Sequence, residues 1–171
     1  LEEGLCELEE GCRAIATSSG MSAIQLVFEL FELNSEFLVS RDLYGGSFRY
    51  FDELERKGQQ NFVYFTDEND LENKVTEKTT AIYIETPTNP LMQEVSIERI
   101  SKIAKSKGAL LIVDNTLLTP LRQKPLTLGA DIVIHSGTKY LTGHNDILAG
   151  VVVTNDEKIG ERLAWLSNTT G

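Results

Sequence analysis

Short apolar runs alternate along the chain with segments whose apolar residues recur at helical spacing. The runs at residues 13–17, 36–40, 61–65, 80–85, 109–113, 130–135 and 149–153 predict strands. Ala109-Leu110-Leu111-Ile112-Val113 is apolar throughout, the pattern of a strand covered on both faces of a parallel sheet. Helices are predicted at residues 1–11, 23–31, 48–57, 96–107 and 157–166, with an exposed helix plus loop at 67–78. Ser96 caps one of these and Gly108 stops it. In residues 1–11, Leu5 and Leu8 are expected on one face and the glutamates on the other. Residues 117–128 read as irregular and 141–146 as a loop. The alternation predicts an α/β fold with a mainly parallel central sheet flanked by helices. No repeat or linker interrupts it, so residues 1–171 read as one domain.

The predicted strands end in chemically distinctive turns. Residues 130–135 deliver Ser136-Gly137-Thr138-Lys139-Tyr140, two hydroxyls, a glycine and an amine in four positions. Ser136 and Thr138 can donate to a phosphate, Gly137 lets backbone approach, and Lys139 can form an imine. Taken alone, the string also reads as a polar loop with a solvated lysine. Ser19-Gly20-Met21 lies between a strand and a helix, an arrangement that aims helix N-terminal amides at an anion. Ser19 is equally a helix cap. Tyr44 stands before the Gly45-Gly46 turn, as a cleft-lining ring or as a core tyrosine with a surface hydroxyl. Asn89 precedes Pro90 in a rigid turn, able to project its amide or simply to form the turn. Asp114 ends the most apolar strand, where a carboxylate needs a partner or a cationic ligand. In parallel sheets ligands bind outside the carboxyl ends of strands, and all these residues fall there.

Composition narrows the partners. Of 171 residues 26 are acidic and 16 basic, a net charge of −10, so no basic surface for nucleic acid is expected. No apolar run reaches membrane-spanning length. Cys6 and Cys12 are too few for a disulfide framework, which fits a reducing cytoplasm. His135 and His144 have no carboxylate cluster beside them in sequence, so no metal site is expected. The chain opens on Leu1-Glu2-Glu3-Gly4, which reads as the interior of a longer polypeptide.

A ligand with a phosphate, an aldehyde, a flat ring and a basic ring nitrogen suits this set, and pyridoxal 5′-phosphate (PLP) has all four. Asp114 would keep the pyridine nitrogen protonated and the ring an electron sink. Tyr44 would stack on the ring and Asn89 would donate to its 3-oxygen. Ser19, Gly20, Met21, Ser136 and Thr138 would hold the phosphate. Lys139 would bond the aldehyde and later act as a base.

The stretches SSGMSAI, DLYGGSFR, ETPTNP, VDNT, PLTLGADIVIHSGTKY and GHNDILAG resemble the Cys/Met-metabolism PLP enzymes. That family includes cystathionine γ-synthase, cystathionine lyases, O-acyl-homoserine sulfhydrylases and methionine γ-lyase. The resemblance spans nearly the whole chain. It implies the large PLP-binding domain of a fold-type I enzyme, with Thr116 near the ring and Tyr44 as a proton shuttle. There are departures: Gly137 replaces a usual alanine, Asn145 a usual serine and Leu117 a common phenylalanine. Gly46 stands where methionine γ-lyases carry cysteine, and Arg49 looks more like the cystathionine enzymes. The resemblance also implies an N-terminal arm and a C-terminal domain outside this chain, an amino-acid substrate and a tetramer of site-sharing dimers. The implied function is transsulfuration at sulfur amino acids or O-acyl-homoserine, with the fragment alone inactive. O-acetylhomoserine sulfhydrylase, methionine γ-lyase, an aminotransferase or desulfurase, and a non-catalytic PLP-fold domain remain alternatives.

Overall fold

The computed structural model describes residues 1–170. The strands belong to an α/β sheet, seven of them among the described residues. Contacts divide the chain into two compact units, one of Leu1–Phe31, Asn115–Thr127 and Asp131–Gly171, the other of Glu32–Asp114 and Leu128–Ala130.

In the first unit β1 (Arg13–Thr17), β7 (Gly150–Thr154) and β6 (Ile132–Ser136) lie side by side with β7 in the middle. β7 runs antiparallel to both neighbours, and its Gly150 faces Thr17 on one side and Ser136 on the other. The C-terminal ends of β1 and β6 therefore share an edge. Val151, Val152 and Val153 are buried, as a strand covered on both faces requires. α1 (Glu2–Glu9), α2 (Gly20–Phe28), α6 (Thr119–Arg122) and α7 (Glu157–Thr170) complete the unit. The segment expected to be irregular thus contains the short α6 and a 3-10 turn at Pro125–Leu128.

The second unit is wholly parallel, in the order β5 (Leu110–Asp114), β4 (Thr79–Glu85), β2 (Glu36–Ser40), β3 (Asn61–Phe65). Its helices are α3 (Gly45–Arg56), α4 (Glu68–Lys74) and α5 (Ile97–Lys107). Ser96 accepts from the Arg99 amide, and Gly108 ends α5 at φ 71°, as the cap and stop residues predicted. α3 lays Phe51 into the sheet, where it stacks on Phe62 at 4.9 Å between ring centroids and meets Tyr83 edge-on at 5.2 Å. Such pairs contribute about 1 kcal/mol each beyond the area they bury. Here they also fix the direction in which the Tyr83 ring points.

α1 corrects one expectation. Leu5 and Glu9 are its buried residues, while Leu8 is 44% exposed. Positions i and i+4 share a helix face, so Glu9 follows Leu5 inward and Leu8 turns outward.

Candidate active site

In the first unit, α2 opens with Ser19, whose hydroxyl accepts from the Ser22 amide at 3.1 Å, while the Ala23 amide bonds the Ser19 carbonyl at 3.0 Å. The cap reading of Ser19 is thereby met. The amides of Gly20 and Met21 precede these bonds and are left as donors for an anion. Gly20 packs against the end of β6: a Cβ there would stand 2.7 Å from that of Ser136. Only a glycine brings the helix start and the Ser136 hydroxyl this close.

The Ser136 amide donates to Thr116 Oγ1 at 2.8 Å, and the Asn115 amide to the Ile134 carbonyl at 2.9 Å. Segment 115–116 is thus zipped to the end of β6. Thr138 Oγ1 donates to the Ala149 carbonyl at 3.2 Å and accepts from the Ala149 amide at 3.1 Å. That hydroxyl stitches the loop and is spent on Ala149 here. Lys139 is exposed, and its amine makes no hydrogen bond or ion pair among the described residues.

The same unit holds a buried cluster that the sequence did not disclose. Glu9 Oε1 lies 2.5 Å from His135 Nε2 and accepts from Asn115 Nδ2 at 3.1 Å. Asn115 Nδ2 also donates to the Gln123 carbonyl at 2.8 Å, and Gln123 Nε2 donates to Asn115 Oδ1 at 3.0 Å. Glu9, His135 and Asn115 are all fully buried. His135 does have a carboxylate neighbour, supplied from 126 positions away. No cluster of metal-binding side chains occurs among the described residues. The available signal was the i, i+4 spacing of Leu5 and Glu9.

In the second unit Asp114 is 8% exposed at the end of β5, and the Tyr83 hydroxyl donates to its Oδ2 at 3.4 Å. Burial first, then the Asp114 and Glu85 charges, raises the Tyr83 hydroxyl pKa well above the usual tyrosine value. Glu85 is in register with Asp114 on the neighbouring strand. Burial first, then the Asp114 charge, pushes the Glu85 carboxyl up to about 8, against the pull of the Tyr44 amide. Glu85 ends an otherwise apolar buried strand, the same signal that drew attention to Asp114.

Tyr44 caps α3, and its amide donates to Glu85 Oε2 at 2.6 Å. The residue is 45% exposed, so the core-tyrosine alternative is excluded. Its ring leans over Gly46, where a Cβ would stand 2.3 Å from ring carbon Cε1. Asn89 is exposed in a turn tied at Thr88, whose amide bonds the Gln93 carbonyl at 3.0 Å and whose hydroxyl bonds Asp42. The open cleft lined by Thr66, Glu68, Gln93 and Arg99 holds none of the candidate residues.

Each unit therefore carries half of the expected set. The first has anion donors and the free amine, and the second has the buried acid, the exposed ring and Asn89. The model for Cys/Met metabolism PLP-dependent enzymes matches residues 1–171. The chain belongs to that family. The family is PLP-dependent, and the donor set fits a cofactor with a phosphate, an aldehyde and a basic ring nitrogen.

The chain is 53% identical to cystathionine γ-synthase/O-acetylhomoserine (thiol)-lyase of Bacillus subtilis, over 100% of this chain and 46% of that protein. It is 47% identical to cystathionine γ-lyase of the same organism, over 100% of this chain and 46% of the relative. The solved structure of cystathionine γ-synthase from Xanthomonas oryzae in complex with cystathionine superposes with a TM-score of 0.95 at 40% identity, covering 98% of this chain and 44% of that one. The chain spans about half the length of the relatives it matches. No helix among the described residues is long and apolar enough to cross a membrane.

Proposed function

We propose that the protein containing this chain is a transsulfuration enzyme of the cystathionine γ-synthase or cystathionine γ/β-lyase type. It forms or breaks a carbon–sulfur bond of a sulfur amino acid or O-acyl-homoserine. The observation that carries the reading is the Ser136–Lys139 turn, with an unpaired, exposed amine beside hydroxyl and amide donors.

When bound, PLP supplies an electron sink that stabilises charge at the substrate's reacting carbons. The amides of Gly20 and Met21, with the Ser19 and Ser136 hydroxyls, hold its phosphate without a basic cluster. Thr138 and Thr116 keep the Ser136 turn in shape, Thr138 through Ala149 and Thr116 through the Ser136 amide. Lys139 would be the amine that holds the cofactor through its aldehyde, and would move protons at the substrate carbons. Asp114 keeps the ring nitrogen protonated, Asn89 orients the ring through its oxygen, and Tyr44 stacks on the ring and takes part in proton transfer. What supports these roles is that every one of the residues lies at or just beyond the C-terminal end of a strand.

Substrate carboxylate binding and a shared-site homotetramer fall to the remainder of the protein, and the chain by itself is expected to be inactive. A cytoplasmic setting and an amino-acid substrate accompany the reading. Gly46, packed under the Tyr44 ring, separates this chain from the cysteine-bearing methionine γ-lyase pattern. The test is to supply the full-length enzyme with O-acyl-homoserine plus cysteine, and separately with cystathionine, and to identify products. Cystathionine, or keto acid with a released thiol amino acid, supports the reading. Keto-acid-dependent amino transfer, or no PLP-dependent product, overturns it.

A further inference from the structure

We propose that Glu85 is a positioning residue of the Asp114 end of the site: an uncharged carboxyl that anchors the Tyr44 backbone and leaves Asp114 as the charged member of the pair. The proposal rests on the cofactor reading above and deepens it.

The geometry comes from the sheet. β4 and β5 are parallel, with Glu85 and Asp114 as direct register partners at their C-terminal ends. Neighbouring strands are about 4.8 Å apart, and residues in register project to the same face. Both residues are almost fully buried, at 5% and 8% exposure. Two carboxyl groups on adjacent strand ends and removed from water disfavour each other's ionisation, and the Asp114 charge is one of the causes that raise Glu85.

The neighbours decide which member keeps a proton. Asp114 has the Tyr83 hydroxyl as a donor. Glu85 faces Asp114 from β5 and Asp42 from the segment after β2, with Tyr83 two residues back on its own strand. Among the described residues the Tyr44 amide at the start of α3 is the partner that favours its charged form, and no cation is among the causes acting on it. Burial and these two acids together hold the Glu85 carboxyl up to about 8, so it is mostly protonated at neutral pH.

The arrangement links two candidate site residues. Glu85 Oε2 fixes the Tyr44 amide, and Tyr44 begins α3 with its ring over Gly46. The direction of the exposed ring is set by the strand end next to Asp114. A charged Glu85 would double the negative charge at that strand pair, whereas a protonated one supplies the anchor alone.

The experiment uses the full-length enzyme. Infrared difference titration of the cofactor-free protein should show a carboxylic acid C=O band that disappears with a midpoint of about 8. Glu85→Gln should lack the band, and Asp42→Asn should lower its midpoint. Glu85→Ala should weaken PLP affinity about tenfold, the scale of one lost buried hydrogen bond. Glu85→Gln, which keeps an uncharged acceptor, should bring that affinity back. Absence of a Glu85-dependent band, or PLP binding by Glu85→Gln as weak as by Glu85→Ala, overturns the proposal. If Glu85→Ala does not fold, the titrations of Glu85→Gln and Asp42→Asn still decide. Failure of the unsubstituted enzyme to bind PLP would sink the cofactor reading, and the infrared band would then judge Glu85 separately.

Discussion

The two compact units solve opposite electrostatic problems. The first presents donors: helix amides at Gly20 and Met21, the Ser136 hydroxyl and the Lys139 amine. Its own buried acid, Glu9, holds His135 and the Asn115 amide group on one oxygen, while its Oε2 is buried with no hydrogen-bond partner among the described residues. The second unit crowds acids. Glu85, Asp114 and Asp42 lie together, and their donors include a tyrosine hydroxyl, a threonine hydroxyl and one backbone amide. A buried acid is tolerated when a donor or a cation meets it, and acids crowded together raise one another's cost of ionisation. The difference is one of supply: the first unit offers hydrogen-bond donors and the second concentrates buried acid.

Substitutions can break that contrast, and the largest effect is expected at the amine. In the full-length enzyme Lys139→Ala should reduce kcat by about a thousandfold or more, since both the covalent bond and the proton transfer are lost. Steady-state turnover checks it. Asp114→Asn should lower kcat by about a hundredfold, the usual scale of one removed electrostatic stabiliser. The visible spectrum of bound PLP should change along with the rate.

The buried acid in the first unit gives the next effect. Glu9→Ala leaves His135 Nε2 and Asn115 Nδ2 short of a buried partner and should cost about 3 kcal/mol of stability. Glu9→Gln keeps one acceptor oxygen and should cost clearly less. Denaturant unfolding of the two variants distinguishes them.

The crowded acid should show itself as a pH dependence of stability. Glu85 is lifted from 4.5 to about 8 in the folded state, so the folded form binds more protons than the unfolded form between those values. Stability is then highest below about pH 4.5 for this group and falls as pH rises towards 8. The fall is on the order of a few kcal/mol. Glu85→Gln should remove that component of the slope in melts taken at several pH values. The smallest effect is expected at Gly46→Ala, where the new methyl displaces the Tyr44 ring. PLP affinity should drop about threefold to tenfold, with little change in melting temperature.

Much of this was legible in the residues themselves. The runs at Arg13–Thr17, Glu36–Ser40 and Asn61–Phe65 are strands with the predicted bounds. An apolar run between turn residues has few other ways to bury itself. α2 and α3 begin three residues earlier than expected, at Gly20 and Gly45. Glycine lowers helix propensity, and tertiary packing against Ser136 and Tyr44 outweighs that cost. The antiparallel direction of β7 was not legible, because a period-two apolar pattern carries no strand polarity. Asp114 was found because it interrupts an apolar strand. Glu85 ends an apolar strand in the same way, but the two prolines that follow give its surroundings the signature of a turn alone. Glu9 and His135 are 126 positions apart, and a contact of that range leaves no local trace.

The central claim is a covalent one: a single amine anchors the cofactor aldehyde. Borohydride reduction of the full-length, PLP-loaded enzyme, followed by peptide mass mapping, tests it most directly. The account predicts one reduced pyridoxyl adduct, on the peptide that contains Lys139, and its disappearance in Lys139→Ala. An adduct on another lysine, or none in a protein that binds PLP, would contradict it.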